Sequence, residues 1–376
     1  MVSDRILFVV NAHEYTAAHR LPLLAGAEEQ SYRVEAVAPA GSPAQERLEA
    51  AGYTVHAIGL SRRGACVWVE MGAIRELARL YRRLQPALVH HATIKPVIYG
   101  SLAARWAGVP AVVNAITGLG YVYTGTDWRA RVLRQVVAAL YRLAFHHPNQ
   151  RVIFQNSDDQ AELTRIAAVR AEDAVLIPGS GVDMECFTPH PEPAGPPLVL
   201  LPARMLWDKG IGEFVTAARR LQSAGVEARF ILAGGGDDGN PSRIAKDQLC
   251  AWVEEGVVEW WGQVADMVDA YRKTHIVVLP SYREGLPKVI LEAAAMGRPA
   301  ITTDAPGCRD AVVDGETGYL VPPWNAEALA DRMGELLQDP NLRATMGKAA
   351  RERAEALFST DRVVADTLAV YRELLS

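Results

Sequence analysis

Cysteine is scarce in this 376-residue chain: Cys66, Cys186, Cys250 and Cys308 stand far apart and form no CxxC pair. That excludes a zinc ribbon, a dithiol redox motif and a disulfide framework, and predicts a reduced, cytosolic setting. A long apolar run is also lacking. The longest candidate, 132–145, is broken by Arg134 and Arg142, so no transmembrane helix is expected. The first residues lead straight into a short strand-like stretch, 6–10, too brief for the apolar region of a signal peptide. An excess of positive charge is missing overall. The net charge of −5 disfavours a nucleic-acid binder.

Charge is nevertheless unevenly spread. Between Leu60 and Phe145 twelve Lys and Arg face three acids, Glu70, Glu76 and Asp127. This basic region reads either as solvated helix faces or as a surface for an anionic partner such as a membrane or a lipid diphosphate. Within it, 128–145 sets Arg131, Arg134 and Arg142 among aliphatic residues, which suits an interfacial helix or a partly buried one equally.

What is present is apolar: 49% of residues are hydrophobic and 22% charged, a globular composition in a chain long enough for two cores. Short β-branched runs alternate with helical patterns from the start, as βα units feeding a parallel sheet do. Seven strands are predicted, at 5–11, 33–38, 54–58, 87–91, 111–114, 151–154 and 175–177. Five prolines within 188–197 then make a stiff extended linker. Six further strands follow at 198–202, 229–233, 257–260, 276–279, 300–303 and 319–321. The expected architecture is α/β, with two Rossmann-like αβα domains facing across a cleft. The first spans 1–187 together with a returning helix at 360–376, and the second spans 188–359. Ligands of such sheets bind at the carboxyl ends of the strands.

The densest chemical signal is there. After the strand ending at Leu279-Pro280 come Ser281-Tyr-Arg-Glu284-Gly285-Leu286-Pro287-Lys288 and, eight residues beyond Glu284, Glu292. Pro287 is read as the first helical residue, where proline is best tolerated. Backbone N–H groups of Gly285, Leu286 and Lys288, with the helix dipole, form an anion site suited to a diphosphate. Glu292 is the expected ligand of a ribose and Glu284 of a hexose, since carboxylates accept from sugar hydroxyls. The plain alternative is a surface helix with Glu284 as a capping charge. Arg204 and Lys209 follow the strand 198–202, where two cations reach the same diphosphate; a local ion pair with Asp208 or Glu213 is their other reading. Gly234-Gly235-Gly236-Asp-Asp-Gly239 matches a dinucleotide fingerprint formally, but it follows the second strand of its domain rather than the first, which argues against a dehydrogenase.

The pattern Glu284-Gly-Leu-Pro-x4-Glu292-Ala-x-Ala-x-Gly297-x-Pro299, followed by Asp314-Gly-Glu-Thr-Gly318, resembles the family 4 retaining glycosyltransferases, which have the GT-B fold. Ile177-Pro-Gly-Ser-Gly181-Val-Asp183 and Ala203-Arg204-Met-Leu-Trp-Asp-Lys209-Gly210 resemble the same family, so the likeness spans nearly the whole chain. It implies that Gly235, Gly236 and Val264 line the donor site, and that Arg204 and Lys209 neutralise the leaving nucleotide. It further implies front-face attack with retention of configuration, a UDP-sugar as donor substrate, and no cofactor or metal.

The acceptor belongs to the first domain. His13 and Arg20 lie in the loop after the first strand, Thr93 and Lys95 after the fourth, and Thr117 and Gly118 after the fifth. These stretches resemble the subgroup that extends polyprenyl-diphosphate-linked saccharides in surface polysaccharide or glycan assembly. Where many relatives place a second histidine near the reacting sugar, this sequence has Ala92. Either His91 substitutes one residue early or backbone groups serve instead. The implied enzyme works in the cytoplasm, peripherally on the membrane's inner face. The competing readings are a sugar-nucleotide 2-epimerase and an inactive sugar-nucleotide-binding protein.

Overall fold

The computed structural model describes residues 4–11, 17–59, 67–119, 128–166, 168–237, 239–240 and 242–376. The chain divides into two compact units, one of 1–181 with 360–376 and one of 182–359.

In the first unit the elements run β1 (Arg5–Val9), α1 (Leu21–Glu29), β2 (Arg33–Pro39), α2 (Pro43–Ala50), β3 (Val55–Ile58), α3 (Val67–Leu84), β4 (Leu88–Ala92), α4 (Ile94–Ala107), β5 (Ala111–Ile116), α5 (Trp128–Ala144), β6 (Gln150–Phe154), α6 (Ser157–Arg165) and β7 (Ala174–Leu176). All strand pairs are parallel, in the order β3-β2-β1-β4-β5-β6-β7. The strands are apolar on both faces because helices cover both, the usual condition of a parallel sheet. Phe8, Leu24, Ala36 and Leu88 pack in one core layer and Leu7, Val37, Leu77 and Val89 in the other.

The second unit repeats the plan: β8 (Leu198–Pro202), α7 (Ile211–Ser223), β9 (Arg229–Ala233), α8 (Lys246–Glu254), β10 (Glu259–Gly262), α9 (Met267–Arg272), β11 (Ile276–Leu279), α10 (Lys288–Ala295), β12 (Ala300–Thr303), β13 (Gly318–Val321), α11 (Ala326–Gln338) and α12 (Pro340–Leu357). Its sheet order is β10-β9-β8-β11-β12-β13, again all parallel. Sheet order reverses beside β8, so the loops after β8 and β11 emerge next to each other, the position where open α/β sheets bind ligands.

The last helix, α13 (Thr360–Leu375), belongs to the first unit. Val363, Leu368, Tyr371 and Leu374 enter the same core layer as Phe8 and Leu24. Among the described residues no helix is long and apolar enough to cross a membrane.

Candidate active site

The loops after β8 and β11 are tied together by their backbones. Tyr282 N–H donates to the carbonyl of Asp208 at 3.0 Å, and the Ser281 hydroxyl donates to the same oxygen at 3.2 Å. Gly210 caps α7 at φ +70°, and a Cβ there would lie 2.1 Å from the carbonyl oxygen of Pro280. Only glycine permits both the dihedral and the approach. From the other side, Glu284 N–H donates to the carbonyl of Pro306 at 3.0 Å.

This framework delivers Lys209 onto Glu284, with Nζ 2.6 Å from Oε1. The side chains are 13% and 18% exposed, so the pair is shielded on most sides yet still reached by solvent. Asp208 is a distant second partner of Lys209 at 4.0 Å, while Glu213 accepts from the Tyr282 hydroxyl at 2.7 Å. Arg204, predicted to share a diphosphate with Lys209, donates from Nη1 to Oδ2 of Asp237 at 2.7 Å. Each cation is thus held by a carboxylate across a loop boundary. Asp237 escaped notice in the sequence, although an acid in the turn after β9 necessarily lies beside a cation after β8 once those strands are neighbours. In the same turn Gly235 accepts from the amide of Met205 at 3.0 Å, and Gly236 has open space where a Cβ would be. Val264, after β10, is partly buried against the core layer that holds Leu286.

The glycine turn and α10 stand as expected, with one shift: the helix begins at Lys288, and Pro287 precedes it as an extended capping residue at φ −72° and ψ 103°. Proline fits either place, because its fixed φ suits both and its missing N–H is not needed in a first turn. Glu292 lies one turn inside the helix and is 9% exposed. Its Oε2 accepts from the Tyr271 hydroxyl at 3.0 Å. Burial raises its pKa above the usual carboxylate range, while Lys288 and the Tyr271 hydrogen bond pull the other way. It is therefore not a solvated helix-surface charge. Tyr271 had no local signal, since it stands 21 residues before Glu292 and meets it only where α9 packs against α10.

The first unit treats its residues differently. His91 is fully buried between Nδ1, 2.9 Å from Asn114 Oδ1, and Nε2, 3.1 Å from the Tyr81 hydroxyl. Asn Oδ1 only accepts, so Nδ1 carries the proton and Nε2 accepts from Tyr81. Burial pushes its pKa down to about 4, and the ring lies so close to Gly100 that a Cβ there would meet it at 2.3 Å. His91, expected beside the reacting sugar, is corrected to a core residue whose two nitrogens are both engaged. Arg20 is likewise drawn inward, 7% exposed and within electrostatic reach of His90 and Tyr371. Lys95 pairs with Glu70 at 2.7 Å. Thr117 and Gly118 follow β5, and Leu119 N–H donates to Asp159 Oδ2 at 3.2 Å. His13 lies outside the described residues.

Thr93 is the exception. At the carboxyl end of β4 it holds φ 76° and ψ 164°, a region almost reserved for glycine. Its hydroxyl oxygen is buried with no hydrogen-bond partner among the described residues. Strain of this kind costs about 1–3 kcal/mol and concentrates at functional sites.

Family models match residues in both units. Residues 196–339 match the family described as "Glycosyl transferases group 1", and residues 5–156 match "Glycosyl transferase 4-like". The chain belongs to the family 4 glycosyltransferases. This glycosyltransferase is 29% identical over 374 residues to the N,N'-diacetylbacillosaminyl-diphospho-undecaprenol alpha-1,3-N-acetylgalactosaminyltransferase of Campylobacter jejuni, covering 96% of each chain. It is 25% identical to the capsular polysaccharide biosynthesis glycosyltransferase CapM of Staphylococcus aureus, over 84% of each. Its fold is that of the sucrose-phosphate synthase of Thermosynechococcus elongatus, with a TM-score of 0.82, 22% identity and 98% of both chains covered. The glycosyltransferase thus has the GT-B fold and uses a nucleotide sugar. Among the described residues no three His, Cys, Asp or Glu side chains are grouped to hold a metal.

Proposed function

We propose that the enzyme moves a hexose or N-acetylhexosamine from a UDP-sugar to a polyprenyl-diphosphate-linked saccharide, retaining the anomeric configuration and using no metal. The observation that carries this is the convergence of Arg204, Lys209, Glu284 and the first turn of α10 at adjacent strand ends of one sheet. Two cations and a helix N-terminus suit a diphosphate, and carboxylates suit sugar hydroxyls.

In this mechanism the donor's diphosphate takes over Lys209 and Arg204 from Glu284 and Asp237, leaving Glu284 free for the hexose and Glu292 for the ribose. The bond from the anomeric carbon to the β-phosphate oxygen breaks as negative charge collects on the diphosphate, where the cations act most strongly. The acceptor hydroxyl attacks the same face of that carbon and gives its proton to the departing phosphate oxygen. UDP and the extended saccharide are the products. Gly235, Gly236, Val264, Gly285, Leu286 and Pro287 shape the donor pocket. Thr93, Thr117 and Gly118 shape the acceptor side of the first unit, where strain at Thr93 favours a ligand-facing role and the histidine absent at Ala92 is replaced by backbone.

The lipid-linked acceptor rests on the name of the Campylobacter relative and on α5. That helix carries no acid and exposes Trp128, Val132, Val136 and Leu143 along one stripe beside exposed Arg131 and Arg142. Such a surface suits the anionic inner face of the cytoplasmic membrane.

The test is incubation with UDP-sugars, with and without a polyprenyl-diphosphate-saccharide. Glycosylated lipid supports transfer, isomerised donor a 2-epimerase, and binding without turnover an inactive binder. Transfer is expected to persist in EDTA, and Arg204→Ala to abolish most of it; an unchanged rate in Arg204→Ala would remove the diphosphate assignment.

A further inference from the structure

Trp324 stands three residues past the end of β13, and Asn325 after it caps α11 by accepting from the amide of Ala328. Trp324 takes φ +59° and is 67% exposed. A bulky residue in the left-handed region is an outlier that glycine would relieve, and an indole gains nothing from facing water. Neither folding nor solubility explains it. The indole packs against the ring of Tyr282, with centroids 4.8 Å apart and planes at 41°. The Tyr282 hydroxyl is held by Glu213, and the carboxylate of Asp208 is near enough to act on the same phenol. Two residues further along the loop is Glu284, paired with Lys209. An exposed aromatic face beside carboxylates repels phosphate, but matches a neutral ring that offers C–H bonds on one face and hydroxyls at its edge.

We propose that Trp324 and Tyr282 form a stacking platform for a sugar ring of the acceptor saccharide, with Glu213 and Asp208 accepting from its hydroxyls. The proposal rests on the reading of the acceptor as a saccharide. It places a specificity determinant for that saccharide on the second unit, beside the Lys209–Glu284 pair but on the side away from α10: α7 and α11 pack in one core layer, α10 in the other.

The deciding variant is Trp324→Gly in the full chain. Glycine accepts φ +59°, so the variant should melt at or above the wild-type temperature. The KM for a polyprenyl-diphosphate-linked disaccharide should rise about tenfold, in line with a lost aromatic contact, while the donor KM stays within about twofold. Saturation-transfer NMR signals of free N,N'-diacetylchitobiose with UDP present should weaken in parallel, and Trp324→Phe should restore part of both. An unchanged acceptor KM and unchanged NMR signals in Trp324→Gly would overturn the platform while leaving glycosyl transfer in place. Equal rises in both KM values would also overturn it, in favour of donor binding. A markedly lower melting temperature would show the indole to be held for packing. A wild-type protein that neither transfers to the lipid-linked disaccharide nor binds the free one would overturn the functional reading itself.

Discussion

The two units share one plan of parallel strands and covering helices, yet they spend their charged residues at the strand ends in opposite ways. In the second unit Arg204, Lys209, Glu284 and Asp237 form salt bridges that solvent still reaches. In the first, His90, His91 and Arg20 are sealed within the core, and their hydrogen bonds and charges serve neighbouring helices and strands. A pair that stays accessible can exchange its partner for a ligand. A pair that is sealed can only hold the fold. On the proposed reading the difference separates ligand-binding groups from structural ones, and it sets the accessible Lys95–Glu70 pair of the first unit with the former.

Substitutions test that contrast most severely at Lys209. Lys209→Ala should lower kcat/KM for transfer by about 100- to 1,000-fold, the scale of one lost group that stabilises developing charge, with little change in melting temperature. Steady-state kinetics beside calorimetry check it, and a stability loss without a kinetic one would erase the contrast.

His91→Ala should do the reverse. Removing the ring leaves the Tyr81 hydroxyl without its partner and Asn114 Oδ1 with only Ser101, around a cavity, for an expected loss of about 2–4 kcal/mol in urea unfolding. Turnover per folded molecule should stay within about twofold. A drop in kcat at unchanged stability would return His91 to the active site.

Acid should act on the same residue, and on buried His90 with the same sign. With the His91 pKa pushed down to about 4 in the folded state against about 6.5 unfolded, the unfolded chain binds the extra proton first. The neutral ring's contribution is therefore complete above pH 6.5 and lost as pH falls toward 4, roughly 3 kcal/mol in all. His91→Gln should flatten that part of the stability profile. An unaltered slope would mean that other groups, His90 among them, carry it.

The smallest effect is at Glu292, whose raised pKa has the opposite sign. Burial makes its charge unfavourable, so its stabilising contribution is present below the ordinary carboxylate range and lost as pH rises through the raised value. Glu292→Gln keeps an acceptor for Tyr271 and should gain about 1 kcal/mol at pH 7 but nothing at pH 4. The gain should come with weaker UDP binding, read by titration calorimetry. Tight UDP binding in the glutamine variant would reassign the carboxylate to structure.

Much of this was legible in the residues. All thirteen predicted strands are present, because strands buried on both faces write themselves as short apolar runs between turns. The first of them ends at Val9, not Asn11, and β10 starts at Glu259, not Val257. Such end shifts are ordinary, since apolar side chains continue into the flanking turns. The linker prolines marked the division near 188, whereas the compact units part at 181/182, since Val182 already bonds through its amide to Phe358. The glycine turn and its helix were legible because proline and glycine signal backbone geometry directly. Partner choice was not. That Lys209 would meet Glu284, 75 residues on, and Arg204 meet Asp237 depends on which strands are neighbours. His91 misled for a related reason: a histidine at a strand end reads the same whether its face of the sheet meets solvent or Tyr81 and Asn114.

Helix α13 gives the chain order a consequence for its synthesis. The first unit is interrupted by the second, and the stretch that fills its core with Tyr371 and supplies the hydroxyl to His90 at 2.6 Å leaves the ribosome only after the second unit. Residues 182–359 are contiguous and complete their own sheet before that helix exists. The unit encoded second is therefore the first able to finish folding, and the nascent first unit waits with an open apolar layer over β5 and β6, a natural point for chaperone capture.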